Sequence, residues 1–167
     1  NGMVEEAFRM LLQEEYPSLL FAVNHGATTT WESLGAALRE EERGYRLDGS
    51  LNHYAYGAPA GWLYTDVLGI RSDEDRPGFK HIFLEPHPGG GLAFAAGSYT
   101  GTYGKISVEW KKTENGYEYR FEIPANTGAT LLLPSGESPF LINGEAAQSA
   151  KGAEVSGAEG EKTRYEL

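Results

Sequence analysis

Hydrophobic residues repeat with helical spacing in the first part of this chain and with strand spacing in the second. Over residues 3–15, apolar positions recur every three or four residues and charged side chains cover the other face. Later, short apolar runs alternate with glycine, proline and asparagine, which is typical of strands and turns. The stretch between them, 71–78, is charged and ends in Pro-Gly. We therefore predict an α+β chain with a helical domain over 1–72 and a β domain over 73–167.

The first domain is predicted to contain three helices, over residues 3–15, 18–23 and 51–68. Ser50 is a suitable N-cap for the third helix and Gly69 a suitable stop, with an interruption near Pro59. Between the second and third helices, 36–43 is predicted to be a charged surface segment and 44–49 a loop.

The β domain contains a clear turn signal at Asn115-Gly116, the residues of a type I′ hairpin. Pairing across it places Trp110 opposite Phe121 on an apolar face. On the charged face, this register sets like charges directly opposite and complementary charges on the diagonals. One apolar and one charged face predict an antiparallel β-sandwich. Further strands are predicted over residues 81–85, 92–99, 102–112, 129–133 and 163–167, with a second hairpin over 140–145 and a loop with weak strands over 146–161.

Composition excludes several classes of function. The net charge is −10, with no block rich in lysine and arginine, so we expect no nucleic-acid partner. Without cysteine there are no disulfides, thiolate nucleophiles or zinc–thiolate sites. No apolar run reaches about 18 residues, so we expect no membrane partner. The N-terminus has neither the basic nor the apolar region of a signal peptide and starts as if inside a longer protein; the compartment is not indicated.

The stretches 26–32 and 50–54 contain the residues most suited to chemistry. An aromatic face next to a carboxylate, as in Trp31-Glu32, suits sugar handling, because the ring stacks on a sugar while the carboxylate acts on hydroxyls or water. The same residues also fit an ordinary helix start, with Thr30 as N-cap and Glu32 near the positive end of the helix dipole. Composition alone favours the helix start.

Other catalytic and binding motifs are not present in the sequence. The four histidines, His25, His53, His81 and His87, show no metal-ligand spacing, so we expect neither a metal site nor a cofactor. No Gly-x-Ser-x-Gly elbow occurs. The glycines at 89–91 precede no helix pattern that could cradle a phosphate, and we interpret them as a flexible joint.

Glycoside hydrolysis generally requires two carboxyl groups, and Glu32 is a candidate for one of them. The other glutamates of the helical part fit solvated helix faces, and Asp66 lies on a predicted helix. If Glu32 is catalytic, we expect its partner to lie outside this chain.

Several ordered motifs resemble bacterial α-L-rhamnosidases of glycoside hydrolase family 78. The resemblance covers nearly the whole chain and is weakest after Pro134. Its motifs are Tyr16-Pro17-Ser18, the residues from Gly26 to Glu32, the residues from Ser50 to Gly57, Gly69-Ile70, the residues from Pro77 to Ile82, Pro86, and Tyr103-Gly104-Lys105-Ile106 with Val108 and Trp110.

This resemblance implies an enzyme that removes terminal α-L-rhamnose with inversion, in an (α/α)6 barrel followed by a C-terminal β-sandwich. Glu32 falls on the family's general base and His53 on a substrate-contacting histidine, flanked by Trp31 and Asn52. The implied partner is a rhamnose-containing glycan or glycoside. Because a barrel needs more helices than residues 1–70 supply, we expect a C-terminal fragment without its general acid, inactive by itself.

Two other interpretations stay open. The chain could belong to another (α/α)6 glycosidase, or it could be a non-catalytic sugar-binding or interaction module that uses Trp31, Tyr99 and Tyr103 as an aromatic platform. A partial barrel also exposes apolar helix faces, which leads us to expect a homodimer of the fragment.

Overall fold

The computed structural model divides into two compact units. The described residues are 2–36, 49–135, 141–142, 145–146, 152 and 154–167. The first unit comprises Asn1–Trp62 and Gly89–Gly91, and the second comprises Leu63–Pro88 and Leu92–Leu167. The domain boundary between residues 72 and 73 stays a prediction.

Helix α1 spans Val4–Leu11, and its apolar stripe buries Phe8. The predicted helix continued to residue 15. After the helix, the Gln13 side chain donates hydrogen bonds to the carbonyls of Glu15 and Pro17, at 3.2 and 3.3 Å. These bonds stabilise a turn instead of a further helical turn.

Helix α2 spans Leu19–Asn24, one residue later than predicted at both ends. Ser18 caps it, since the Ser18 hydroxyl accepts a hydrogen bond from the backbone N–H of Phe21 at 2.9 Å. Gly26 follows with φ +89° and closes the helix, as predicted.

The continuous helix predicted over residues 51–68 is wrong. The chain instead forms a 3-10 turn at Tyr54–Gly57, helix α3 at Pro59–Trp62 and a π-helical turn at Leu63–Val67. The predicted restart at Pro59 is confirmed, because proline lacks the N–H that a continuing helix needs. Ser50 does not cap a helix; its hydroxyl accepts a hydrogen bond from the N–H of Asn52 at 3.0 Å. Among the described helices, none has the length and apolarity to cross a membrane.

In the first unit, Gly89 and Gly90 lie directly against the ring of Phe8. A Cβ atom would stand 2.6 Å from this ring at Gly89 and 2.5 Å from it at Gly90. Trp62 meets the same ring edge-on, with 5.1 Å between the ring centroids. The glycines interpreted as a flexible joint therefore also allow close packing on Phe8.

In its described residues, the second unit has ten strands: β1 (Ile70–Ser72), β2 (His81–Leu84), β3 (Phe94–Gly101), β4 (Gly104–Thr113), β5 (Gly116–Glu122), β6 (Gly128–Pro134), β7 (Leu141–Ile142), β8 (Glu145–Ala146), β9 (Glu154–Glu159) and β10 (Lys162–Glu166). One sheet has the order β1-β2-β6-β10-β9, a second has the order β3-β4-β5, and β7 pairs with β8. All pairs are antiparallel except β2 with β6, which is parallel. The all-antiparallel prediction is wrong at this pair, because the long connection through β3–β5 works as a crossover.

The two larger sheets enclose a common hydrophobic core. Ile82 and Leu84 from one sheet and Ile106 from the other are 0% exposed and belong to the same cluster. Trp110 is also fully buried, and its indole N–H donates a hydrogen bond to the carbonyl of Val67 at 2.8 Å. This arrangement fits the predicted sandwich and makes the chain α+β with mostly sheet.

The β4–β5 hairpin turns one residue earlier than predicted. Trp110 lies opposite Tyr119 and not opposite Phe121. Asn115 lacks the positive φ that a type I′ turn requires, whereas Gly116 has φ +139°. Because each partner moves by two residues, the apolar face is unchanged.

Charge pairing favours the observed register. Glu109 lies opposite Arg120, and Lys111 lies opposite Glu118. The predicted register would have placed like charges directly opposite each other, which is unfavourable. The alternation of apolar and charged residues was therefore sufficient to predict which side chains share a face of the hairpin, but not which residues lie opposite each other.

Two strands lie at least partly in regions predicted to be a linker or a loop. Strand β1 begins at Ile70 and extends into the predicted linker 71–78, and β9 lies within 146–161, which was predicted to be a loop with weak strands. The predicted surface segment 36–43 and loop 44–49 fall almost entirely outside the described residues. The turn of the predicted hairpin 140–145 also falls outside them, although β7 and β8 pair across it.

Candidate active site

The threonine-rich segment before Glu32 pairs with the segment before His53 through backbone hydrogen bonds. The His53 N–H donates to the carbonyl of Thr30 at 2.7 Å, and the Glu32 N–H donates to the carbonyl of Ser50 at 2.9 Å. The Thr30 hydroxyl adds a bond to the carbonyl of His53 at 2.8 Å, and the Thr29 hydroxyl also reaches the opposite backbone. β-Branched residues favour extended backbone, so this sequence supports strand-like pairing.

The pairing brings the side chains of Glu32 and His53 together. Oε2 of Glu32 accepts a hydrogen bond from the Ser50 N–H at 2.8 Å and lies 3.6 Å from Nδ1 of His53. The side chains of Glu32 and His53 are 40% and 38% exposed. A carboxylate held at one oxygen and open to solvent has the access that a general base needs.

The imidazole of His53 also contacts an aromatic ring. Tyr56 packs edge-on against it, with 5.3 Å between centroids and 66° between planes. Tyr56 is 43% exposed and Tyr54 is 91% exposed. Exposed aromatic rings next to polar groups provide a surface on which a sugar can stack.

Trp31 and Asn52, the two flanking residues predicted to contact substrate, lie in the paired segments next to Glu32 and His53. Trp31 is half-buried and Asn52 is exposed. The N–H of Asn52 bonds to the hydroxyl of Ser50, which holds the backbone of this segment in a local turn. Their contact with substrate stays a prediction.

The alternative interpretation of Thr30 as a helix N-cap is wrong. Its hydroxyl donates to the distant carbonyl of His53, and no helix begins at Trp31, since residues 32–36 form bends and turns. Sequence reasoning missed the pairing role of Thr30 and the contacts of Gly49 and Ser50 with the carboxylate. The run of threonines was the one signal for extended structure.

A second polar cluster, in the β unit, surrounds His81. Nδ1 of His81 lies 3.0 Å from Oδ2 of Asp73, and Nε2 lies 3.1 Å from Oγ1 of Thr130. The Thr130 hydroxyl in turn donates to Oε2 of Glu166 at 2.8 Å. Thr130 is 0% exposed, so no substrate can reach its hydroxyl. This cluster, which the sequence did not predict, stabilises the fold.

The two carboxyl groups of this cluster have lowered pKa values. Burial raises the pKa of Asp73, but hydrogen bonds from the Asp75 N–H and the Arg76 guanidinium outweigh burial and place this pKa below its ordinary value. Burial likewise raises the pKa of Glu166, and bonds from Thr130 and Arg164 reverse the effect. In the described part of the chain, no group of three or more His, Asp or Glu side chains could hold a metal ion.

Both parts of the chain match models of domains from one protein family. A model described as the bacterial alpha-L-rhamnosidase 6 hairpin glycosidase domain matches residues 1–67, which is the part that contains Glu32 and His53. A second model, the bacterial alpha-L-rhamnosidase C-terminal domain, matches residues 69–145. The chain therefore belongs to the bacterial α-L-rhamnosidase family, and the resemblance is confirmed.

Individual relatives agree with this assignment. An α-L-rhamnosidase of Alteromonas sp. (strain LOR) is 37% identical over 136 residues, covering 80% of this chain and 14% of the relative. The crystal structure of Streptomyces avermitilis α-L-rhamnosidase complexed with L-rhamnose has a TM-score of 0.77 at 25% identity, covering 99% of this chain and 15% of that protein. The crystal structure of the native α-L-rhamnosidase from Aspergillus terreus has a TM-score of 0.68 at 34% identity, covering 77% of this chain and 15% of that protein. The chain thus spans a small part of the length of the relatives it matches.

Proposed function

We propose that this chain is the C-terminal part of an inverting α-L-rhamnosidase in which Glu32 is the general base. The observation that carries the proposal is the Glu32–His53 pair, in which Oε2 lies 3.6 Å from Nδ1 and both side chains are open to solvent. Membership in the α-L-rhamnosidase family and a relative crystallised with L-rhamnose support a terminal α-L-rhamnoside as the substrate.

In the proposed reaction, Glu32 takes a proton from a water molecule as that water attacks the anomeric carbon. The attack comes from the face opposite the leaving group, so the configuration inverts. His53 binds a sugar hydroxyl next to the carboxylate, and Trp31 and Asn52 line the sugar on either side.

The general acid belongs outside this chain. An inverting enzyme needs two carboxyl groups about 6.5–9.5 Å apart. The first unit's other described carboxylates are exposed residues on or just after α1, as expected for a solvated surface: Glu5, Glu6, Glu14 and Glu15. None of these described residues is placed to act as the acid, so we expect the isolated chain to have half of an acid–base pair and not to hydrolyse rhamnosides.

In the complete enzyme, helices α1, α2 and α3 are the last helices of an (α/α)6 barrel. Several apolar side chains of these segments are exposed, including Met3 at 61%, Met10 at 74% and Val23 at 56%. Without the rest of the barrel, these side chains favour self-association of the chain as a homodimer. Sedimentation that shows a compact monomer would count against the homodimer.

The test is Glu32→Gln in the full-length enzyme, assayed with an aryl α-L-rhamnoside. Glutamine keeps the shape but cannot accept the proton, so kcat should fall about 10²–10⁴-fold. Glu15→Gln, a change at an exposed residue after α1, is the matched control and should leave kcat unchanged. Near-normal turnover of Glu32→Gln would show that Glu32 is not the general base. Cleavage of the same substrate by the purified 167-residue chain would contradict its inactivity.

The exposed aromatics of the β unit favour a second candidate function, a non-catalytic sugar-binding module. Tyr99 and Tyr103 are 44% and 46% exposed, and Phe79 lies 4.8 Å from Tyr99 between ring centroids. Glycan-array binding that survives Glu32→Gln and is lost in Tyr99→Ala would support this function. A panel of aryl glycosides would distinguish an α-L-rhamnosidase from another (α/α)6 glycosidase.

A further inference from the structure

The backbone at Gly49 passes directly beside the carboxylate of Glu32. A Cβ atom at Gly49 would stand 2.7 Å from Oε2 and 3.2 Å from Cδ of Glu32. The first distance is well below van der Waals contact and the second is slightly below it, so no other amino acid fits there while the carboxylate keeps its position.

Glycine is required at this position for space and not for backbone conformation. The φ of Gly49 lies outside the left-handed region, in contrast to that of Gly26 at +89°. The nearest atoms of the described chain are the side-chain atoms of Glu32, at the end of a flexible side chain. A larger residue at position 49 would therefore move the carboxylate at little cost to the fold.

Oε2 of Glu32 also accepts a hydrogen bond from Ser50, the residue after Gly49. The Ser50 N–H donates to Oε2 at 2.8 Å, and the Glu32 N–H donates to the Ser50 carbonyl at 2.9 Å. A displaced carboxylate loses this bond and its 3.6 Å separation from His53. Catalytic groups that move by about 1 Å can lose about 10²-fold in rate.

We propose that Gly49 is a positioning residue for Glu32. Its missing side chain lets the carboxylate lie against the backbone at Gly49-Ser50, where Oε2 is held and, among the described contacts, Oε1 stays available to water. This inference rests on the proposed role of Glu32 as general base. Gly49 itself touches no substrate and acts through the carboxylate.

The test is Gly49→Ala in the full-length enzyme with an aryl α-L-rhamnoside. We expect kcat to fall about 10–100-fold while KM and the melting temperature stay close to those of the wild type. Gly61→Ala is the matched control, because a Cβ atom at Gly61 meets no atom within 4 Å. In a Glu32→Asp background, the shorter side chain withdraws from position 49, so Gly49→Ala should lower kcat by less than it does in the wild type.

Each remaining outcome decides against a specific claim. Wild-type kcat in Gly49→Ala, with an inactive Glu32→Gln, overturns the positioning role and leaves the proposed function standing. A large fall in melting temperature, or an equal loss of kcat in the Glu32→Asp background, also overturns the role, since Gly49 would then serve the fold. An active Glu32→Gln overturns the proposed function itself.

Discussion

Nδ1 of His53 lies 3.6 Å from Oε2 of Glu32, although the two residues are far apart in the sequence. The backbone bond from His53 to Thr30 creates this proximity and does not depend on the imidazole. Substitution of the His53 side chain should therefore change substrate binding while the pairing of the two segments remains.

For His53→Ala in the full-length enzyme, we expect the KM for an aryl α-L-rhamnoside to rise about 10–100-fold. The reason is the loss of one hydrogen bond, which leaves a hydroxyl group of the bound sugar without its partner at a cost of about 1–3 kcal/mol. His25→Gln, in the turn after α2, is the control and should keep the wild-type KM. An unchanged KM in His53→Ala would show that this histidine does not contact the substrate.

Trp110→Phe should destabilise the chain by about 2–3 kcal/mol. The change removes the indole N–H that bonds to the buried carbonyl of Val67 and leaves a cavity in the core. Urea unfolding of the 167-residue chain measures the effect. Tyr117→Phe removes a hydroxyl from an exposed ring that touches Trp110 and should change stability by less than about 0.5 kcal/mol. Equal stability of the two variants would contradict the importance of the indole bond.

Gly69→Ala should be far more disruptive than Gly78→Ala, although both glycines have positive φ, at +70° and +88°. A Cβ atom at Gly69 would stand 2.1 Å from the backbone carbon of Glu85, whereas one at Gly78 meets open space. We expect a loss of about 3–5 kcal/mol at Gly69 and about 1 kcal/mol at Gly78. Thermal unfolding of both variants tests this, and similar losses would refute the steric argument.

The carboxyls of Asp73, which is buried, and Glu166, which is partly exposed, should make the fold sensitive to acid. Their folded pKa values lie below the ordinary values of 3.8 and 4.5, so the unfolded chain binds more protons as the pH falls. Their stabilisation is therefore complete above about pH 5 and is lost as the pH drops through the folded pKa values.

Unfolding of Asp73→Asn at several pH values checks this mechanism. The variant should be less stable than the wild type at pH 7, and the difference should shrink toward pH 3 because the wild-type carboxyl becomes protonated. Asp75→Asn retains the N–H that bonds to Asp73 and serves as the control. A stability difference that is independent of pH would show that the charge of Asp73 does not stabilise the fold.

Predictions were accurate where the structure depends on neighbours in the sequence. The Pro59 restart and the closing glycine after α2 depend on single-residue backbone properties. The apolar face of the β4–β5 hairpin follows from strict alternation. The hairpin register was missed because Glu109 and Arg120, once they face each other, outweigh the turn preference of Asn115-Gly116.

Errors were concentrated where contacts come from distant residues. No helix begins at residue 51, because the segment before His53 pairs with the threonines before Glu32, and short 3-10, α and π turns follow only after His53. Helical periodicity contains no information about such a partner. The parallel pairing of β2 with β6 depends in the same way on a long crossover.

Sequence motifs were sufficient to recognise the family and to select Glu32, His53, Trp31 and Asn52 as candidate site residues, because ordered motifs and side-chain chemistry can be recognised without coordinates. The way in which the carboxylate of Glu32 is held follows from the folded chain and not from these motifs. Among the described residues, the carboxylate is constrained by the backbone N–H of Ser50 and by the absent side chain of Gly49. Every residue except proline has a backbone N–H, and glycine has no side chain, so neither Ser50 nor Gly49 can be recognised as a constraint on Glu32 from residue type. Such constraints become visible only when the folded chain brings them to the carboxylate.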